Sequence, residues 1–120
     1  MRTRMAVLVV LGLVALSGNG RAAEDRFGAI AAASDGSFGY AYDHDSRAAA
    51  ESAALAKCGS YKCVVKVWFK NNCAAYARGR KGVEGWAWSA TRAGAESRAV
   101  DECSSRGQGC EVVCWACNGN

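Results

Sequence analysis

The chain states one pattern twice, and that repetition constrains its fold more than any other feature. Residues 39–42 read GYAY and residues 85–88 read GWAW. At the same shift of 46, residues 28–43 lie over residues 74–89, with Ala29 on Ala75, Gly36 on Gly82 and Ala41 on Ala87. In each copy an apolar segment meets a turn signal (Ser34-Asp35-Gly36, then Arg80-Lys81-Gly82) and an aromatic-small-aromatic segment follows. That order predicts a β-hairpin. Ser46 and Thr91 then stand where helix N-caps belong, ahead of Ala-rich helices over about 47–58 and 92–103. Ala50, Ala54 and Cys58 share one helical stripe, as do Ala95, Ala99 and Cys103. Strands over about 64–69 and 111–115 close the two copies. The unit is ββαβ, written in tandem over about 27–70 and 73–117. The expected class is α+β: one largely antiparallel sheet with both helices on one face, stapled by disulfides.

The staples are needed. Residues 1–22 carry Arg2 and Arg4, an apolar run of about 11 residues and a small-residue exit at Gly20-Arg21-Ala22. This is the pattern of a cleaved secretory signal, because the run is shorter than the roughly 20 residues that span a bilayer. The mature chain, residues 23–120, is then one exported domain, periplasmic or secreted. It contains one Ile (Ile30), one Leu (Leu55), and neither Met nor Pro. A core built from Ala, Val and aromatic rings in so short a chain is marginal by itself.

Seven cysteines supply the difference: Cys58, Cys63, Cys73, Cys103, Cys110, Cys114 and Cys117. At this density in an exported domain they form a disulfide framework. The repeat pairs Cys58 with Cys63 and Cys103 with Cys110, joining each helix end to its next strand. Cys73 takes either Cys114 or Cys117, and the remaining thiol is free. Cys114 and Cys117 do not pair with each other, since three residues of strand span about 10 Å.

Composition excludes several function classes. Removal of Arg2, Arg4 and Arg21 from the 15 basic residues leaves 12 against 11 acidic ones, about +1, so a nucleic-acid surface is not indicated. The run Arg78-Gly79-Arg80-Lys81 falls at a turn and reads as a solvated one. CWAC at 114–117 lacks the following helix that would stabilise a redox thiolate, and export favours oxidation over zinc ligation by Cys110, Cys114 and Cys117. His44, the single His, sits between Asp43 and Asp45 at a strand-to-helix junction and has no counterpart in the second copy. No metal, cofactor or catalytic residue is assigned, and the chain is not expected to be an enzyme.

The pattern GAIA, an aromatic second strand, Ser or Thr with Arg before an Ala-rich helix ending in Cys, then Cys-Val-Val and Asn-x-Cys-Ala-Ala, resembles an exported bacterial family called domain of unknown function 4189. The resemblance covers residues 27–117. It implies Cys at the start and end of the last strand, matching Cys110 and Cys117, and so makes Cys114 the free thiol and Cys117 the partner of Cys73. It implies no activity.

The aromatic residues carry the functional expectation. Tyr40, Tyr42, Trp86 and Trp88 project from the strand face opposite Gly39, Ala41, Gly85 and Ala87, while Trp68 and Trp115 share their parity with charged residues. Two readings stand. The rings fill a core poor in Leu and Ile, or all six form an exposed platform that receives an unidentified protein or a cell-wall glycan. On the second reading the chain is a non-catalytic binding module, of inhibitor or immunity type or a binder of envelope partners. The alternatives are glycan adhesion through those rings and a thiol-dependent enzyme using Cys114.

Overall fold

The structure is a computed structural model that describes residues 24–119. The expected signal segment lies outside the described residues. Within them, β1 (Phe27–Ala32), β2 (Phe38–His44), α1 (Arg47–Cys58) and β3 (Val64–Lys70) form the first unit. The second comprises β4 (Cys73–Arg78), β5 (Glu84–Ser89), α2 (Arg92–Ser104) and β6 (Glu111–Cys117), with a short 3-10 turn at Arg80–Gly82. The duplicated ββαβ unit is therefore real in three dimensions, and the class is α+β.

Local chemistry sets the helices. The Ser46 hydroxyl accepts from the Ala49 N–H at 3.1 Å, and the Thr91 hydroxyl accepts from the Gly94 N–H at 3.0 Å. Each cap satisfies one of the donors that a first turn leaves free. Arg47–Glu51 and Arg92–Glu96 ion pairs repeat on the exposed faces one turn further on.

The strands divide into two three-stranded antiparallel sheets, ordered β2-β1-β3 and β5-β4-β6, where the sequence suggests a single one. The reason lies in pairing. β1 takes both strands of its own copy as neighbours, and β4 does likewise, so each copy closes its own sheet. Each sheet then has two apolar faces to cover. The outer face of the first, Ala29, Ala31 and Ala41, receives Ala50, Ala54 and Cys58 of α1. The outer face of the second, with Ala75 and Ala77, receives Ala95, Ala99 and Cys103 of α2. The two inner faces cover each other: Ile30, Val67 and Phe69 pack against Ala74, Tyr76, Cys114 and Ala116. The helices consequently lie on the outside of separate sheets, not together on one face.

Small residues make this layering tight. A Cβ at Gly39 would fall 2.3 Å from the Cys58 nitrogen, and one at Gly85 would fall 2.3 Å from the Ala99 oxygen. Tyr76 and Phe69 are the largest side chains almost wholly removed from water, each contributing about 2–3 kcal/mol.

Candidate functional site: two aromatic clefts

Cross-strand register assigns every ring to a face. Tyr40 pairs with Ile30, Trp86 with Tyr76 and Trp88 with Ala74, so these rings project from the inner faces. Tyr42 follows Tyr40 by two residues and shares its side. They belong to edge strands and are not sealed between the sheets: Tyr42 is 49% and Trp88 55% exposed. Trp68 pairs with Ala29 and Trp115 with Ala75, which places both on the outer, helix-bearing faces. There the guanidinium carbon of Arg47 lies 4.5 Å from the centre of the Trp68 ring, and that of Arg92 lies 3.8 Å from Trp115. Each helix thus anchors its first residue on a tryptophan of its own sheet by a cation–π contact.

The six rings do not form one surface. They gather as three and three, because β2 lies beside β6 at one side of the molecule and β3 beside β5 at the other. One cleft, of about 520 Å³, is lined by Phe38, Tyr40 and Tyr42 against β6 residues that include Cys114, Trp115 and Ala116. The other, of about 640 Å³, is lined by Lys66, Trp68, Trp86 and Trp88 together with Arg98, Asp101 and Glu102 of α2. A smaller hollow of about 240 Å³ adjoins it, sharing Trp68 and Trp88 and reaching Asn72.

Two cysteines, Cys114 and Cys117, line the first cleft, and none lines the second. Cys58 is bonded to Cys63, Cys103 to Cys110, and Cys73 to Cys117 across the β4–β6 pair. Cys114 is a free thiol on the floor of the first cleft, 6% exposed. Burial pushes its pKa up to about 12. A thiol held protonated in this way is a poor nucleophile.

A polar bridge joins the two copies beside the second cleft. The Tyr76 hydroxyl donates to Glu84 Oε2, and Lys66 Nζ of the first sheet donates to Glu84 Oε1 at 3.1 Å. Burial raises the Glu84 pKa, but the Tyr76 and Lys66 donors outweigh it and hold the carboxyl below its ordinary value. Burial, then the Glu84 carboxylate, raises the Tyr76 phenol. Arg78 adds a second link between the sheets, donating to the Ala33 carbonyl at 3.0 Å.

The family model described as Domain of unknown function (DUF4189) matches residues 27–117. The chain belongs to the DUF4189 family. Among relatives, Protein Rv1269c of Mycobacterium tuberculosis is 33% identical over 96 residues, covering 80% of this chain and 73% of that protein. Uncharacterized protein Rv1813c of the same species is 39% identical over 92 residues, covering 77% of this chain and 60% of the relative. The NMR structure of Rv1813c superposes with a TM-score of 0.60 over 92% of this chain and 88% of that one, at 33% identity.

Away from the clefts, Asp43 of this DUF4189 chain fixes a strand end. Asp43, next to His44, receives the Gly119 N–H at 2.7 Å and gives its own N–H to Asn118 Oδ1 at 2.8 Å. It ties the end of β6 to the end of β2. His44 sits at the end of β2 opposite Phe27. Among the described residues no group of three or more His, Cys, Asp or Glu is placed to hold a metal ion, and no helix is long and apolar enough to cross a membrane.

Phe38 shares the parity of Tyr40 and Tyr42, and Lys66 that of Trp68, whereas aromatic parity does not reveal Asn72, Arg98, Asp101 and Glu102 as cleft residues. A signal for three of them exists in the repeat. Against Arg98, Asp101 and Glu102, the matching α1 positions hold Ala53, Ala56 and Lys57.

Proposed function

We propose that this protein is a small exported, non-catalytic binding module that presents two preformed aromatic clefts to another molecule. The observation that carries the reading is the exposure of the edge-strand rings. Tyr42 and Trp88 remain about half exposed on a scaffold whose core alanines, Ala29, Ala31, Ala41, Ala74, Ala75 and Ala77 among them, are wholly buried. Large rings held at open edges by a rigid frame cost little to order on association, because disulfides and packing have already fixed them. An inhibitor or immunity-type contact with an envelope protein is one concrete form of this activity. The buried, fully protonated Cys114 argues against the alternative of a thiol enzyme.

The test is capture. Oxidised protein would be immobilised and exposed to the envelope proteins and insoluble wall of the source cell, beside a Tyr42→Ala/Trp88→Ala double variant. Stoichiometric retention of one component by the native protein and not by the variant supports the reading. Equal retention by both, or none by either, removes it.

A further inference from the structure

The clefts are related by the duplication, yet they are not chemically equal. Only the second is lined by charged side chains: Arg98, Asp101 and Glu102 of α2 stand beside it with Lys66, whereas no residue of α1 lines the first. Part of that lining closes the sheet edge. Arg98 donates to the Trp88 carbonyl at 3.3 Å and Arg106 to the Glu84 carbonyl at 2.9 Å. With two outward carbonyls of β5 capped by guanidinium groups, this edge is blocked against an added strand. A ligand here is met by side chains.

Three features define its chemistry. Trp68 is covered by Arg47, and Trp86 by Lys66 and Arg106, whereas among the described residues Trp88 has neither a cation nor another ring against it and is the most exposed indole. In the adjoining hollow, Asn72 Oδ1 is buried without a hydrogen-bond partner, an acceptor whose donor the described residues do not supply. The charges lining the cleft also balance, Lys66 and Arg98 against Asp101 and Glu102. Asp101 takes part in none of the ion pairs among the described residues.

A bare indole face, an unmet acceptor and interspersed acids and bases without net charge match a neutral molecule with one apolar face and many hydroxyls. The geometry points to a neutral pyranoside chain as the ligand of the Trp88 cleft. Its C–H face stacks on Trp88, its hydroxyls bond to Asp101 and Arg98, and one donor reaches toward Asn72. This assignment rests on the binding-module reading and names the ligand class for one of its two clefts. A proline-rich peptide also docks between aromatic rings, but it would leave the carboxylates unused.

The test is titration of the oxidised, isotope-labelled exported protein with chitotriose, cellotriose, maltotriose and a proline-rich decapeptide, followed by indole N–H resonances. At least one trisaccharide should shift Trp86 and Trp88 saturably, with a Kd on the order of 1 mM. Trp88→Ala should weaken that binding by about tenfold or more and Asp101→Asn by severalfold, while Tyr61→Ala, at an exposed turn outside both clefts, leaves it unchanged. The inference is overturned if no trisaccharide shifts these signals, if Trp88→Ala binds as tightly as the native protein, or if only the peptide binds. Its failure is separable from that of the broader reading. Capture of an envelope protein without sugar binding leaves the module standing and removes the glycan. Cleavage of a bound trisaccharide keeps the ligand class and removes the non-catalytic reading.

Discussion

Gly39 and Gly85, 46 positions apart, occupy the same place in the two halves: each lets a helix backbone lie where its own Cβ would be. Around Gly39 the obstacles are the Cys58 nitrogen at 2.3 Å and the Ala54 oxygen at 2.6 Å; around Gly85 they are the Ala99 oxygen and the Cys103 nitrogen, both at 2.3 Å. All four are backbone atoms, anchored by a disulfide at the helix end, so neither site relaxes cheaply. Gly39→Ala and Gly85→Ala should each destabilise the oxidised protein by about 3 kcal/mol, measured by denaturant unfolding. A loss below about 1 kcal/mol at either site would show that the helices sit less closely than described.

The disulfides should differ in worth. Cys73–Cys117 closes 44 residues, against 5 for Cys58–Cys63 and 7 for Cys103–Cys110. Loop entropy assigns about 4 kcal/mol to the first and about 2 to each of the others. Replacing Cys73 and Cys117 together by Ala should therefore lower stability most, read as the shift in unfolding midpoint at constant slope. Equal losses from all three paired replacements would contradict the entropic account.

Cys114 should react slowly. With its thiol buried and its pKa pushed up to about 12, alkylation by iodoacetamide near neutral pH should proceed only through transient opening. Denaturant should accelerate it by orders of magnitude. Mass spectrometry after timed quenching distinguishes this from a native thiol that reacts at the rate of a free cysteine.

Acid should weaken the link between the two halves. Glu84 titrates below its ordinary 4.5 in the folded state, so it stabilises the fold above the unfolded value and loses that contribution as pH falls through the folded one. Asp35 behaves in the same sense. The Ser37 N–H, with help from the Ser37 and Ser60 side chains, holds its carboxyl down at about 2. Its contribution fades as pH falls from 3.8 toward 2. Glu84→Gln should flatten the acid limb of the stability curve just below pH 4.5, and Asp35→Asn should flatten it lower. Parallel acid limbs for the native protein and Glu84→Gln would show that the Lys66–Glu84–Tyr76 bridge does not couple to folding.

The local elements were open to sequence reading because their signals are local. Ser46 and Thr91 announce helix starts, and the stripes Ala50-Ala54-Cys58 and Ala95-Ala99-Cys103 announce the buried faces. Alternation in GYAY and GWAW separates rings from small residues. Because the unit is written twice, each copy reinforces the other, and the cysteine positions follow from that register. What stayed hidden was which apolar face covers which. A strand of period two presents two faces without naming their partners, so the same pattern suits one six-stranded sheet or two of three strands. The central placement of β1 and β4, each paired on both sides within its own copy, decides for two. That choice turns the inner faces toward each other, leaves the edge-strand rings in two separate clefts, and sets Arg47 on Trp68 and Arg92 on Trp115. It also brings Arg98, Asp101 and Glu102 beside rings from other strands, a neighbourhood that no spacing along the chain records, because it exists only after the sheets have packed.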